Sequence, residues 1–589
     1  MRGWMGFAIA GMLAQCPVEV TAAPKAGSAA ELGGLWEAQR VFVPEAHGTL
    51  RLSRKGPVWR AEIVGKVVEA SVDHERIGFD LPRDAGKFRG ALSSDQSRIT
   101  GHWIQPANDG GGPFASSVTL TRKRPNEWSG EITPLNMGYT FYLMVKERSD
   151  GSVGALLRNP ERNLGFFQFK PNRLEREGDV VRLVTAAVDG KAARVVSEGR
   201  YDRENDRLSF YFPSRGGTYD FRRLGPEEPS DYYPRGRPTA AYVYQPPAAK
   251  NDGWATASLS DVGMDQARIE TFIRTLIATS MDSASTPQIH GVLIARHGKL
   301  VLEEYFHGEH GEKAHDSRSA GKSIASDLAG AAIQAGDRLS EDSRVYEVMN
   351  GGSMPANLEP RKRAMTLKHL LTMTSGFDCD EEDENTPGYE DNIKGPDVYR
   401  ATLDLPMVRQ PGDKAVYCSV GANLAGGVVA RAAGKPTLEL FQKLIADPLD
   451  IRQYYMGVTG TLDYYLGGGA RFLPRDFLKW AQVHVNHGTW NGRHIYSAEW
   501  SRRATSPLVR FSETSRTRYG YLWWIYDYPY QGRKVRSYFA SGNGGQLSIG
   551  IDELDLAIVF QGGNYNDWDN GIIGLDYVQN FILPAVRER

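Results

Sequence analysis

Three short stretches of this chain hold residues able to do covalent chemistry. The first, H-D-S-R-S-A-G-K-S-I-A-S from His315, carries Ser319 and Lys322 in a Ser-x-x-Lys spacing. On a helix the two side chains lie one turn apart and share a face. A serine hydroxyl is a weak nucleophile until a nearby base takes its proton. A lysine partly withdrawn from water can lose its charge and act as that base. The same residues also suit a helix start followed by a solvated lysine, and roughly one Ser-x-x-Lys is expected by chance in a chain this long. The second stretch, K-A-V-Y-C-S, holds Tyr417 and Ser419. A tyrosine shuttles protons when positive charge beside it brings its pKa down, but most tyrosines only pack. The third, A-S-G-N-G-G-Q from Ala540 to Gln546, precedes an expected edge strand. Its glycines let a substrate approach closely and leave main-chain N–H groups for an oxyanion.

In this order and at these separations the three stretches resemble the serine β-lactamase and penicillin-binding-protein superfamily. The nearest branch is the class C β-lactamases with their esterase and aminohexanoate-oligomer-hydrolase relatives. The family pattern is Ser-x-x-Lys, then Tyr-x-Asn or Tyr-x-Ser, then Lys/His-x-Gly, on a sheet flanked by helices. The resemblance covers most of residues 250–589. It includes H-G-V-L-I-A-R-H-G-K-L, L-K-H-L-L-T-M-T-S-G, Q-P-G-D-K-A-V-Y, P-R-D-F-L-K-W-A-Q-V and R-Y-G-Y-L-W-W-I.

The resemblance implies that Ser319 is the acylated nucleophile and Lys322 its proton acceptor or electrostatic activator. Tyr417 would shuttle protons to the leaving group and to the deacylating water; which of Lys322 and Tyr417 is the principal base stays open. The N–H groups of Ser319 and of Gln546, or of Gly545 one residue earlier, would form the oxyanion hole. Two positions depart from the pattern. Ser419 replaces the common asparagine with a shorter polar group, and Asn543 stands where the family places a cation or histidine for the substrate carboxylate. A neutral amide there loses charge-assisted attraction, which favours a less anionic ester or amide over a penicillin or a D-alanyl peptide.

The implied function is an exported serine hydrolase cleaving a small-molecule or short oligomeric ester or amide through a Ser319 acyl-enzyme. The alternatives are a catalytically weak protein that binds or senses β-lactams or cell-wall fragments, and a true β-lactamase or D-alanyl peptidase. Two further features surround the motifs. Eight acidic residues lie between Asp378 and Asp391; their spacing is not that of an EF-hand, and a solvated loop is the expectation. Trp523 and Trp524 alternate in an expected strand, so one should pack inward while the other packs or lines the cleft.

The elements that must position these residues are helices at about 265–278, 320–335, 367–373, 422–433 and 474–485, and a last one at 572–586. A hairpin near Gly298 precedes them, and two strands, Q-L-S-I-G-I and D-L-A-I-V-F, follow. Strands at both ends with helices between predict an antiparallel sheet packed by helices. Residues 32–223 read differently, as short strands punctuated by turns. G-A-L-S-S-D-Q-S-R-I-T-G-H-W from Gly90 aligns without gaps to G-R-Y-D-R-E-N-D-R-L-S-F-Y-F from Gly199, an internal repeat that reads as two antiparallel meanders or lipocalin-like barrels, with a single larger barrel as the alternative. The expected class is therefore α+β multidomain. Its segments are a signal peptide (1–23), two β-meander repeats (32–125 and 126–223), a proline-rich linker (224–250) and a β-lactamase-like domain (251–589).

At 589 residues the chain exceeds a single core. Its net charge of −1 offers nothing to a nucleic acid. The chain carries no C-x-x-C and no H-E-x-x-H, hence no zinc signature, and neither a metal nor another cofactor is expected. Met1 and Arg2 lead into an apolar run from Met5 to Ala14, then small residues at Val20–Ala23, a pattern of periplasmic or secretory export. That run is too short to span a bilayer, and no later one is long enough. Cys16 faintly resembles a lipoprotein anchor but follows glutamine, so soluble export is favoured. Cys379 and Cys418 then either form one disulfide, closing a loop of about 40 residues, or remain two buried thiols. Export favours the disulfide.

Overall fold

The computed structural model describes residues 28–587 except 109–110, 162–170, 188–191, 237–240, 284 and 568–569. The signal segment and Cys16 lie outside the described residues. The N-terminal half forms two antiparallel barrels, and alternation explains both. In Arg207–Phe212, for example, Leu208, Phe210 and Phe212 are buried while Arg207 and Tyr211 face out. Eight strands enclose just enough space for such side chains. One interior is centred on Phe141, which stacks on Phe212 at 4.6 Å. The other is centred on Trp59 and Trp128, stacked at 5.1 Å.

The strands do not part where the sequence repeat does. Gly34–Phe42 pairs with both Met137–Glu147 and Gly217–Arg223 and so closes the second barrel. Glu127–Ile132 pairs with both Gly48–Lys55 and Phe114–Arg124 and closes the first. Each barrel thus holds a strand from the other side of position 125/126. Closure needs a partner for the last free edge, and here the partner comes from across the repeat boundary. The repeated glycines have a shared reason: a Cβ on Gly90 or Gly199 would run into the cross-strand carbonyl of Thr100 or Ser209.

The C-terminal half is built on an eight-stranded sheet. Its order is Ala255–Thr256, Lys299–Tyr305, Ile289–Arg296, Leu556–Gly562, Gln546–Ile551, Arg533–Gly542, Trp524–Tyr530, Arg518–Tyr519. Ile289–Arg296, buried along its whole length, sits beside Leu556–Gly562, so the two ends of this half meet at the centre of the sheet. Gln266–Ile277, N-capped by Asp265, covers one face with the C-terminal segment. Ser323–Gln334, Ser419–Ala433 and Pro474–Val485 cover the other. The expected last helix is broken into Ile573–Tyr577, a π turn Val578–Ile582 and Leu583–Ala585.

The halves are joined by backbone. Phe114–Arg124 of the first barrel pairs with Tyr454–Gly457, this with Ala470–Phe472, and this in turn with His315–Asp316. The barrel therefore extends into a small sheet that ends three residues before Ser319. His102 Nε2 lies 2.9 Å from Tyr454 Oη across this junction. Cys379 and Cys418 form a disulfide with Cα atoms 5.6 Å apart. No helix among the described residues is long and apolar enough to cross a membrane.

Candidate active site

Ser319 lies in a 3-10 turn, Arg318–Lys322, that leads into the helix Ser323–Gln334. The turn begins with backbone strain: Arg318 has φ 50°, a left-handed conformation that costs a side-chain-bearing residue roughly 1–2 kcal/mol. It is held by Arg318 N–H donating to Asp316 Oδ1 at 3.0 Å and by the guanidinium lying 5.1 Å from the Tyr565 ring centre. Strain of this kind is retained where the surroundings over-determine it.

Lys322 is 1 % exposed. Its Nζ lies 3.0 Å from Ser319 Oγ, donates to Gly467 O at 2.5 Å and sits 4.9 Å from the centre of the Tyr417 ring. The structure thus brings Ser319, Lys322 and Tyr417 together, and the lysine is dry rather than solvated. Tyr417 also forms part of an aromatic wall. Its ring stacks on Trp524 at 6.1 Å, Phe511 lies 6.1 Å away, and Tyr519 packs edge-on to Trp524 at 4.9 Å. Trp523 takes the inward place, fully buried against His484 at 4.7 Å.

Ser419 is buried at the start of Ser419–Ala433. Its N–H donates to Glu381 Oε1 at 3.0 Å, and its hydroxyl meets the same carboxylate. Glu381 belongs to the acidic run, and the disulfide beside Tyr417 pins that run against the cleft. Glu382, Asp383 and Glu384 are exposed, as a solvated loop requires, but Glu381 turns inward. Burial raises its pKa and Glu390 adds to the rise, while Ser419 and the Lys322 ammonium pull it back. The sequence marks Glu381 only as one acid among eight.

The residues expected at the oxyanion hole lie in and beside a hairpin turn. Gly545 N–H donates to Gly542 O at 3.3 Å, and Gln546 is the ladder partner of Gly542 across a tight hairpin. The Gln546 side chain bonds Gly562, donating from Nε2 to its carbonyl at 2.7 Å. Asn543 sits in the turn, where its amide donates to Asn566 Oδ1 at 2.7 Å and accepts from Asn566 N–H at 2.6 Å. The side chains of Gln546 and Asn543 are thus both engaged in hydrogen bonds of their own. The residue that approaches the serine turn is Gly542. A Cβ there would collide with Ser317 O and come within 3.1 Å of Ala320 N, so only glycine lets the end of Arg533–Gly542 reach the serine turn. The available signal was the glycine closing the strand rather than those after it.

Residues 273–561 match the Beta-lactamase family model, and Ser319, Lys322, Tyr417 and Gly542 all fall inside the match. This region of the chain is thus similar to the Beta-lactamase family. Members of this β-lactamase-fold family are serine hydrolases. Protein Rv1367c of Mycobacterium tuberculosis is 25 % identical over 201 residues, covering 28 % of this chain and 50 % of that protein. The chain thus spans half the length of that relative. Among solved structures, a class C β-lactamase is 15 % identical, covers 55 % of this chain and 97 % of its own, and has a TM-score of 0.42. A penicillin binding protein from Bacillus halodurans is 16 % identical over 49 % of this chain and 97 % of its own, with a TM-score of 0.39.

Proposed function

We propose that residues 251–589 are a serine hydrolase that cleaves an ester or amide through a Ser319 acyl-enzyme. In this reading 32–223 is an accessory β unit and 224–250 a linker. The observation that carries the reading is the buried Lys322 Nζ, 3.0 Å from Ser319 Oγ. For this step Ser319 Oγ attacks the carbonyl carbon as its proton passes to Lys322 in its neutral amine form or to Tyr417 in its phenolate form. The carbonyl oxygen takes negative charge, stabilised by Ser319 N–H and main-chain N–H at the Gly542–Asn543 end of the strand. Collapse expels an alcohol or amine, which takes the proton, and water then releases the acid and frees Ser319.

No residue from Ala540 to Gln546 is cationic, so this stretch offers no charged partner to a substrate carboxylate. The aromatic wall of Tyr417, Trp524 and Phe511 offers an apolar surface instead. Both features favour a neutral ester or amide over a penicillin or a D-alanyl peptide. Export is part of the same proposal, supported by the basic-then-apolar N-terminus and the disulfide.

The test is labelling with a fluorophosphonate and with a fluorescent penicillin, followed by mass mapping. An adduct on Ser319 is expected; absence of one under both reagents removes the acyl-enzyme. A panel of p-nitrophenyl esters, nitrocefin, D-alanyl peptides and linear ω-amino-acid amides then sorts the substrate. Preference for nitrocefin would overturn the argument from the uncharged strand.

A further inference from the structure

A separate cluster of chemistry-bearing side chains lies on the barrel side of the serine turn. His290 projects from Ile289–Arg296, Glu309 from the loop after Phe306, and His315 from the two-residue strand before Ser319. One ligand atom from each lies within 4.8 Å of the others. The three are scattered along the sequence and match no metal motif, which is why the spacing of His and Cys gave no hint of them.

The imidazoles meet in a strained arrangement. His290 Nδ1 lies 2.9 Å from His315 Nε2, and His315 Nδ1 faces the carbonyl of Asp316 at 3.4 Å. That carbonyl places the His315 proton on Nδ1 and turns the Nε2 lone pair towards His290. His290 then has two options. It can donate from Nδ1, leaving Nε2, which has no hydrogen-bond partner among the described residues, as a buried orphan. Otherwise it carries its proton on Nε2 and sets two lone pairs against each other. His290 is 1 % exposed, so water does not relieve either state, and a buried unpaired polar atom costs roughly 1–3 kcal/mol. A cation accepting both lone pairs resolves the facing nitrogens. A carbonyl behind a ligating imidazole is also the usual way its tautomer is fixed.

Glu309 supplies the charge. Its side chain is 7 % exposed and is paired with Lys313 Nζ at 2.7 Å, on a lysine side chain 43 % exposed that is able to swing into water. Two imidazole nitrogens and one carboxylate oxygen are a donor set for Zn²⁺, with water completing a tetrahedron. Magnesium and calcium require more oxygen. Zinc ligands stand about 3.3 Å apart at ordinary Zn–N and Zn–O lengths. The histidine pair is near that spacing, and the widest separation must close by about 1.5 Å, within reach of a carboxylate side chain.

We propose that His290, Glu309 and His315 bind one Zn²⁺, which ties the centre of the main sheet to the strand that delivers Ser319. His315 pairs with Phe472 in the small sheet that continues from the first barrel. The metal therefore fastens the barrel-linked sheet to the catalytic half at the approach to the serine turn. This inference does not depend on what bond Ser319 breaks.

The experiment uses the full chain, stripped with a chelator, dialysed and titrated with Zn²⁺ by calorimetry, with metal content read by mass spectrometry. One zinc per chain is expected, bound at least about 10-fold more weakly by Glu309→Gln and by His315→Gln. Zn²⁺ should raise the Tm of the unaltered protein but not that of either variant. Lys313→Met should bind Zn²⁺ more tightly, because it frees Glu309. Failure of the folded, unaltered protein to take up one equivalent overturns the proposal, as does uptake that Glu309→Gln leaves unchanged.

Discussion

The C-terminal half contains two serine-centred constellations, and they differ in access to solvent. Ser501, His484 and Asp327 have the distances of a hydrolytic triad: His484 Nδ1 lies 2.9 Å from Ser501 Oγ and Nε2 3.1 Å from Asp327 Oδ1. Yet Ser501 is 2 % and His484 1 % exposed. The imidazole is walled by Trp523 at 4.7 Å, Tyr496 at 5.0 Å and Tyr538 at 5.7 Å. No substrate carbonyl has room there, so the set satisfies buried polar groups between helices. Ser319 has a less familiar partner, a lysine, but it is only half-buried, follows a strained residue and faces a strand end stripped of side chain. Hydrogen-bond distance does not separate the two sets. Access and a place for the developing oxyanion do.

The largest expected effect tests that contrast directly. Ser319→Ala should abolish fluorophosphonate labelling and lower turnover by about 10⁴-fold or more, whereas Ser501→Ala should keep both; the opposite pattern would break the comparison. Lys322→Met should reduce acylation by about 10³-fold while circular dichroism stays native, since the proton partner goes but the fold remains. His484→Ala should leave labelling intact yet cost about 3 kcal/mol of stability in urea, because Asp327 loses its buried partner and the rings lose packing. Gly542→Ala should cost about 1–3 kcal/mol and slow acylation by pushing the strand end off the serine turn; undiminished activity would show that the close approach does not matter.

The smallest effect is in pH. The Glu381 pKa lies above its ordinary 4.5 in the fold, so between those values the native state binds more protons than the unfolded one. Stability contributed at this residue is therefore present at low pH and lost as pH rises from 4.5 through the raised value. Glu381→Gln should flatten that fall in urea titrations at successive pH values. A slope unchanged by the substitution would place the cause elsewhere.

Several of these features were legible in the chain alone. Ser319 and Lys322 follow from helical spacing, and the alternation in Arg207–Phe212 reveals a strand with one buried face. Pro474–Val485 has the helix-starting proline that its position demands. Other features were not. Gln546 lies in a ladder opposite Gly542, and such pairing is a matter of register, which local sequence does not fix. The barrel boundary at 125/126 failed for the same reason, since both partners of Gly34–Phe42 lie far along the chain, beyond that boundary. Glu381 was hidden among similar neighbours until the disulfide and the N–H of Ser419 singled it out.

Sequence alone determined which residues own reactive groups, which segments are helix or strand, and that a serine, a lysine and a tyrosine recur in a recognisable order. Those are properties of local periodicity and side-chain chemistry, set within a few residues of each position. Tertiary structure decided which serine is reachable, that Lys322 is dry and which glycine touches the Ser319 turn. It also decided that two histidines and a glutamate converge. Each of these depends on burial and on contacts between segments far apart in the chain, and nothing local encodes what the partner will be.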